Sequence, residues 1–194
     1  MGHSQTQKQQ THDRIVEIAA QRFRELGLNG LSIANLMKEA GQTHGGFYKH
    51  FESRDDLVAE ALATAFASSN SEARTGKSAT FKALVMAYLS KRHRDAPGTG
   101  CAVAALVNDM GRSQPDARAL YTEQVCKSLA NIGRLTGKGG DAGNDAAAIV
   151  SLSAMVGALG LARAVDNPAL SAKILSAVQD FLIAQFDEPL EKAD

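Results

Sequence analysis

The sequence predicts an all-α protein. An N-terminal three-helix helix-turn-helix domain is expected over residues 1–55 and a C-terminal helical domain over 56–194, about nine helices in all. Three observations predict it. Apolar residues recur at three- and four-residue steps, as Ile15, Ile18, Ala19, Phe23 and Leu26 do in the first periodic segment. No segment sustains the two-residue alternation, rich in Val, Ile and Thr, of a half-buried strand. Capping residues and glycines punctuate the apolar stretches at helix-length intervals.

The first helix is expected to begin near Thr11, with Thr11 as its cap and Asp13 in its first turn. The polar residues before it read as a disordered arm, in which Gly2 with Thr6 only loosely matches a myristoylation pattern. Gly27 and Gly30 break this helix. Ser32 caps a short second helix with Ile33, Leu36, Met37 and Ala40 on its buried face, and Gly41 ends it as a left-handed glycine. Thr43 is expected to cap a third short helix that carries His44 to Phe51. Ser53 caps a fourth, running through Leu57, Val58, Ala61, Leu62, Ala65 and Phe66.

The polar stretch from Ser68 to Ser78 is the best internal boundary. Beyond it, Thr80 to Asp95 reads as helix, Ala96 to Gly100 as a break, and Cys101 to Met110 as a short helix. Gln114 to Leu135 follows, with Ser113 as cap and Pro115 in the first turn, where proline is tolerated. Gly137 to Asn144 is a glycine-rich loop, and the last two helices are Asp145 to Ala164 and Pro168 to Phe186.

Hydrophobic residues make up 44% of the chain, enough for a sizeable core. The 21 basic and 21 acidic residues cancel. That balance argues against a sequence-blind polyanion binder, yet leaves room for a specific DNA reader with a local basic face. Cys101 and Cys126 are too few for a disulfide framework and lack metal-site spacing, so neither metal nor cofactor is expected. No apolar run is read as a membrane span and the polar start is not a secretory signal. A cytoplasmic location and no membrane partner are the expectation.

The tight turn between the second and third helices is the helix-turn-helix arrangement, whose second helix enters the major groove with its N-terminal residues towards base edges. Here that element is Thr43 to Phe51. Thr43 and His44 offer polar groups at the exposed end. Gly45 and Gly46 cost about 1 kcal/mol each in a helix relative to alanine, so they imply close approach, to DNA or to a neighbouring helix. Phe47 and Phe51, four apart, should face the core. Tyr48, Lys49 and His50 carry ordinary phosphate partners, Arg54 adds a cation, and Ser32 can donate at a helix start.

The run from Ala40 to Leu57 resembles the signature of TetR/AcrR regulators: a small residue and Gly, then Ser/Thr, Gly, an apolar residue, Tyr, His/Tyr and Phe, followed by Ser, a basic residue, an acidic residue and Leu. Ile15, Phe23, Gly27 and Ser32-Ile33 fit the preceding pattern. Gln42 departs from it, standing where the family usually has an apolar residue. The resemblance covers about a quarter of the chain. It implies that Thr43, His44, Gly45 and Gly46 read bases, that Ser32, Tyr48, His50 and Arg54 contact phosphates, and that Lys49 does either. It further implies an all-helical effector-binding and dimerisation domain after the DNA reader. Lys8 has two readings, a minor-groove arm or a solvated lysine.

The helix from Asp145 is apolar around most of its circumference and rich in Ala, Ser and Gly, so it is buried on more than one side. With the final helix it is expected to build a homodimer interface, the alternative being a central place in one subunit. Phe66, Phe81, Met86, Tyr88, Val107, Met110, Tyr121 and Val125 are candidate liners of a pocket for an unidentified small-molecule effector, the alternative being plain core. Cys101, at a helix start, is a candidate redox sensor or a small core residue.

Together these features predict a transcriptional regulator rather than an enzyme, a repressor released from a palindromic double-stranded operator by an effector or by cysteine modification. A helical enzyme using Cys101 and His93 would need both to converge on an oxyanion site, which no spacing shows. A helical interaction module without DNA affinity is the third reading. Salt-sensitive, sequence-selective binding separates the first from the other two.

Overall fold

The computed structural model describes residues 2–74, 80–136 and 146–186. Among these residues the chain is all-helical, with nine α-helices: α1 (Gly2–Leu26), α2 (Ile33–Glu39), α3 (Arg54–Arg74), α4 (Phe81–Tyr88), α5 (Lys91–Asp95), α6 (Ala102–Met110), α7 (Pro115–Leu135), α8 (Ala146–Ala164) and α9 (Pro168–Phe186). Three 3-10 helices, Leu28–Gly30, His44–Lys49 and Pro97–Thr99, lie between them. The expected glycine-rich loop, Gly137 to Asn144, lies outside the described residues.

Two compact units emerge, interleaved along the chain: residues 1–71 with 97–122, and 72–96 with 123–194. This grouping by compactness differs from the division at 55/56, which is a division by role.

In the first unit the three- and four-residue periodicity buries Ile15, Ala19 and Phe23 on one side of α1. Leu26 was expected in the same stripe but is 53% exposed, because it closes the last turn where the chain leaves the core. The helix also begins earlier than expected. It runs from Gly2, and Thr11 is no cap: its hydroxyl donates to the Gln7 carbonyl one turn back, at 2.9 Å. Gln and Lys are good helix formers, and the polar run from Gln5 to Gln10 holds no breaker.

Gly27, at φ 74°, ends α1. Residues 97–110 pack against this same helix. A Cβ on buried Gly98 would overlap the Glu25 carboxylate and lie 2.8 Å from Gln21 Cγ, so a larger residue there would have to displace both side chains. Arg24 Nη1 donates to the Gly100 carbonyl at 3.4 Å. Val103, Leu106 and Met110 of α6 are buried, and the Tyr121 hydroxyl at the start of α7 donates to the Val103 carbonyl at 2.9 Å. Burial pushes the Tyr121 pKa up to about 12, with a smaller contribution from Cys101, so the donor stays protonated. Ser113 does not cap α7: its hydroxyl donates back to Asp109 at 2.9 Å, and Pro115 opens the helix.

In the second unit α8 packs against α9 and α5, and α4 against α9. Phe81, Val85, Leu89, Ile132, Leu152, Met155, Leu175 and Leu182 form its core. Each such side chain contributes about 1.5–3 kcal/mol relative to exposure. The expected helix from Thr80 to Asp95 is two helices. Ser90 interrupts it, its hydroxyl accepting from the His93 N–H at 3.1 Å and so starting α5. The loose carbonyls at the break are taken up. Gln179 donates to Met86 and Leu89 at 3.3 and 3.4 Å, and Arg163 donates to His93 and Arg94 at 2.8 and 3.0 Å. Such bonds satisfy the orphan carbonyls of a helix end.

The boundary expected over Ser68 to Ser78 also shifts, because α3 continues through its first part to Arg74. Contrary to the sequence expectation, α8 is long and apolar enough by length and composition to cross a membrane, with a mean hydropathy of 1.7. Its alanines raise the average without adding bulk. Ala148, Ser151, Leu152, Met155, Ala158, Leu159 and Ala162 are buried within its own unit.

Candidate nucleic-acid interface

The candidate interface is built on residues 32–54. Ser32 has the extended backbone of an N-cap, and its hydroxyl accepts from the Asn35 N–H at 3.2 Å. The hydroxyl hydrogen stays available to an outside acceptor. α2 ends as the glycine predicts. Gly41 adopts φ 72°, its N–H donates to Lys38 at 3.1 Å, and the Gln42 N–H reaches Met37 at 2.8 Å. Gln42, the departure from the family pattern, points to solvent, where its polarity costs nothing.

The element expected to read bases is not an α-helix. His44–Lys49 is a six-residue 3-10 helix, with the Gly46 N–H on Thr43 and the His50 N–H on Phe47, both at 2.9 Å. Thr43 takes the N-cap position and backbone, yet its side chain makes no capping bond. The expected cap is absent and the hydroxyl is left on the exposed edge. Adjacent glycines weaken α-helical propensity, and short pieces of this tighter winding are common as connectors between α-helices. Phe47 and Phe51 are buried with centroids 5.2 Å apart.

With the rings turned inward, Gln42, Thr43, His44, Gly45, Tyr48 and Lys49 face out, and Gly46 is half-buried. Tyr48 is 67% exposed, its ring edge-on to Phe47 at 5.2 Å. A Cβ on Gly45 would meet nothing within 4 Å, and one on Gly46 only the Met37 methyl and the Thr43 hydroxyl at 3.6 Å. Of the two approaches that the glycine pair implied, a neighbouring helix is therefore not what Gly45 accommodates.

Two expected phosphate partners are placed differently from the rest. The Arg54 guanidinium turns inward, donating to the Leu28 carbonyl and, at 3.4 Å, to Leu31, with its charge 5.9 Å over the Phe23 ring. It fastens the α1–α2 connection rather than facing out. His50 caps the 3-10 helix and is half-buried, 6.0 Å from His12 between ring centroids. His12 stacks on Phe51 at 4.7 Å and pairs with Glu60 at 2.7 Å. Burial first, then the charges of His12, Lys8 and Lys49, hold the His50 pKa below its usual value. The link from His12 to Glu60 spans 48 residues and left no local sequence signal. The same holds for Arg22, whose bonds to Glu39 at 2.7–3.0 Å and to Glu25 at 2.5 Å tie α1 to α2.

The eight candidate effector residues divide between the units. Phe66, Val107, Met110 and Tyr121 belong to the first, Phe81, Met86, Tyr88 and Val125 to the second. Val107 and Met86 are 43% and 51% exposed, lying on outer helix faces. Phe66 meets Tyr121 edge-on at 6.3 Å, and Phe81 meets Phe186 at the same distance, as core residues do. Cys101 is a half-exposed free thiol at the N-cap of α6 in the first unit. His93 and Arg94 bond within the second unit, His93 to the Tyr88 carbonyl at 2.6 Å and Arg94 to Asp95 and Ser171 at 2.7 and 2.9 Å.

Known proteins carry the same pattern. The family described as bacterial regulatory proteins, tetR family, matches residues 15–61. The HTH-type transcriptional regulator AcrR of Shigella flexneri is 35% identical over 52 residues, covering 27% of this chain and 24% of that protein. The chain thus matches about a quarter of the length of that curated relative.

Solved structures extend the likeness in fold to nearly the whole chain. A TetR transcriptional regulator from Chloroflexus aurantiacus superposes with a TM-score of 0.76 at 22% identity, covering 93% of this chain and 97% of that one. A TetR-family regulator from Cytophaga hutchinsonii does so with 0.74 at 23%, covering 94% and 98%. The fold is thus an N-terminal helix-turn-helix domain with a helical C-terminal domain, and residues 15–61 match the tetR family of bacterial regulatory proteins.

Proposed function

We propose that the chain is a sequence-specific DNA-binding repressor, acting in the cytoplasm as a homodimer on a two-fold symmetric operator. Residues 1–55 read DNA, and 56–194 pair the subunits and respond to an effector. The observation that carries this reading is the outward row Thr43, His44, Gly45, Tyr48 and Lys49, with open space above Gly45 and two buried rings beneath. Thr43, His44, Gly45 and Gly46 meet base edges, Lys49 meets a base or a phosphate, and Ser32, Tyr48 and His50 meet the backbone. Arg54 is left out of the contact set because its guanidinium is engaged within the fold.

Dimerisation is supported by a face of α8 formed by Ile149, Val150, Ser153, Gly157, Gly160 and Leu161, exposed and without a charged residue. Phe181 of α9 is 57% exposed and adds to the apolar surface. Small and branched side chains at helical spacing suit close helix packing against a second copy. A small-molecule effector, or modification of Cys101, releases the operator by shifting the helices that brace the reader. Gel-shift titration against DNA upstream of the chain's own gene tests the proposal. Selective binding that weakens steeply with salt is expected, and no selectivity for any segment would overturn it.

A further inference from the structure

We propose that the N-terminal turns of α1 and His50 form a seat for one backbone phosphate of the bound duplex, with Gln5, Lys8, Gln9 and His12 as its α1 donors. The inference rests on the DNA-reading role proposed above and extends the contact surface to a helix outside the helix-turn-helix.

Three observations carry it. Gln5, Lys8, Gln9, His12 and His50 line a depression of about 410 Å³, and every lining side chain can donate a hydrogen bond while none is acidic. The nearby carboxylates are already engaged, Glu60 by His12 and Asp13 by Gln9, each at 2.7 Å. His50 Nδ1 is buried yet has no hydrogen-bond partner among the described residues, which in a folded protein calls for a group to fill the role.

Electrostatics favour an anion as that group. His12 and Lys8 face His50 from α1, Lys49 from the 3-10 helix, and Glu60 from α3 is paired to His12. Burial first, then repulsion from His12, Lys8 and Lys49, disfavours a proton on His50, and a phosphate in the depression reverses that balance. No group of three His, Cys, Asp or Glu side chains suited to a metal ion occurs among the described residues, so a cation is not the better occupant. The seat also continues the reading face, since His50 directly follows the exposed Tyr48 and Lys49. It gives a use to the polar turns of α1 from Gln5 to Gln10, which are exposed and bury nothing.

The test uses the full chain and a duplex that the wild-type protein selects from a randomised pool. Binding is followed by fluorescence anisotropy over a range of KCl and of pH, for wild type, Lys8→Ala, Gln5→Ala, His50→Gln and, as a control in the second unit, Lys127→Ala. Lys8→Ala is expected to weaken binding about tenfold near 0.1 M salt and to lower the salt slope by about 0.9. Gln5→Ala weakens binding with the slope kept. Wild-type affinity rises from mildly alkaline to mildly acidic pH as His50 takes up a proton against the phosphate, and His50→Gln flattens that rise. Lys127→Ala changes neither quantity.

If the wild type selects a duplex but Lys8→Ala keeps both affinity and slope, the seat is refuted and the helix-turn-helix reading stands. If the wild type selects no duplex, the DNA-reading role fails and the seat falls with it.

Discussion

Arg54→Ala separates two roles that sequence alone does not distinguish. In the structure the guanidinium donates to the Leu28 carbonyl, grazes the Leu31 carbonyl at 3.4 Å and lies 5.9 Å over the Phe23 ring. A hydrogen bond from a charged donor contributes about 1.5–3 kcal/mol, the long second bond little, and the ring contact about 0.5 kcal/mol. Arg54 is half-buried, so water replaces part of what is lost, and the net cost is about 2 kcal/mol. For a chain of this size that lowers the thermal midpoint by about 4–8 °C. Urea and thermal unfolding monitored by circular dichroism would show the loss, and anisotropy titrations would show a salt slope equal to wild type. An unchanged midpoint together with a slope reduced by about 0.9, the signature of one lost phosphate contact, would refute the reasoning.

Three further outcomes are expected. A Cβ on Gly45 meets no neighbour in the free protein, so Gly45→Ala should keep or slightly raise the melting midpoint while weakening duplex binding; binding at full strength would mean that DNA does not approach there. Leu161→Arg places a charge on the apolar face of α8 and should give a monomer in light scattering with unchanged helix content; a persistent dimer would move the interface elsewhere. The depressed His50 pKa means that the unfolded chain binds the extra proton more readily, so stability is full above the usual imidazole value of 6.5 and falls as pH drops through it. Urea midpoints between neutral and mildly acidic pH should therefore decline less in His50→Gln than in wild type.

Most of the helix-turn-helix was legible because its signals are local. Ser32 and Ser53 cap their helices, Gly41 takes the left-handed turn, and Phe47 and Phe51 go inward as their spacing requires. The 3-10 winding was not legible, since neither the glycine pair nor the rings alone specify it. Arg54 was misplaced because a basic residue next to a DNA-reading motif has two available partners, and only the position of the Leu28 carbonyl decides between them. The start of α1 was missed because Thr11, a good cap by type, is an equally good back-bonder to Gln7. The exposure of Met86 and Val107 was not legible because a helix with few charges does not reveal which of its apolar side chains faces out.

The packing of residues 97–110 against α1 has a structural corollary. A fragment ending at residue 55 would keep every side chain assigned to DNA, yet lose the braces supplied by Gly98, Gly100 and α6 along the back of its longest rod. The reader is thus no detachable cartridge. The residues from Pro97 to Met110 lean on the same helix that carries His12 against Phe51, so a shift in one would be felt by the other.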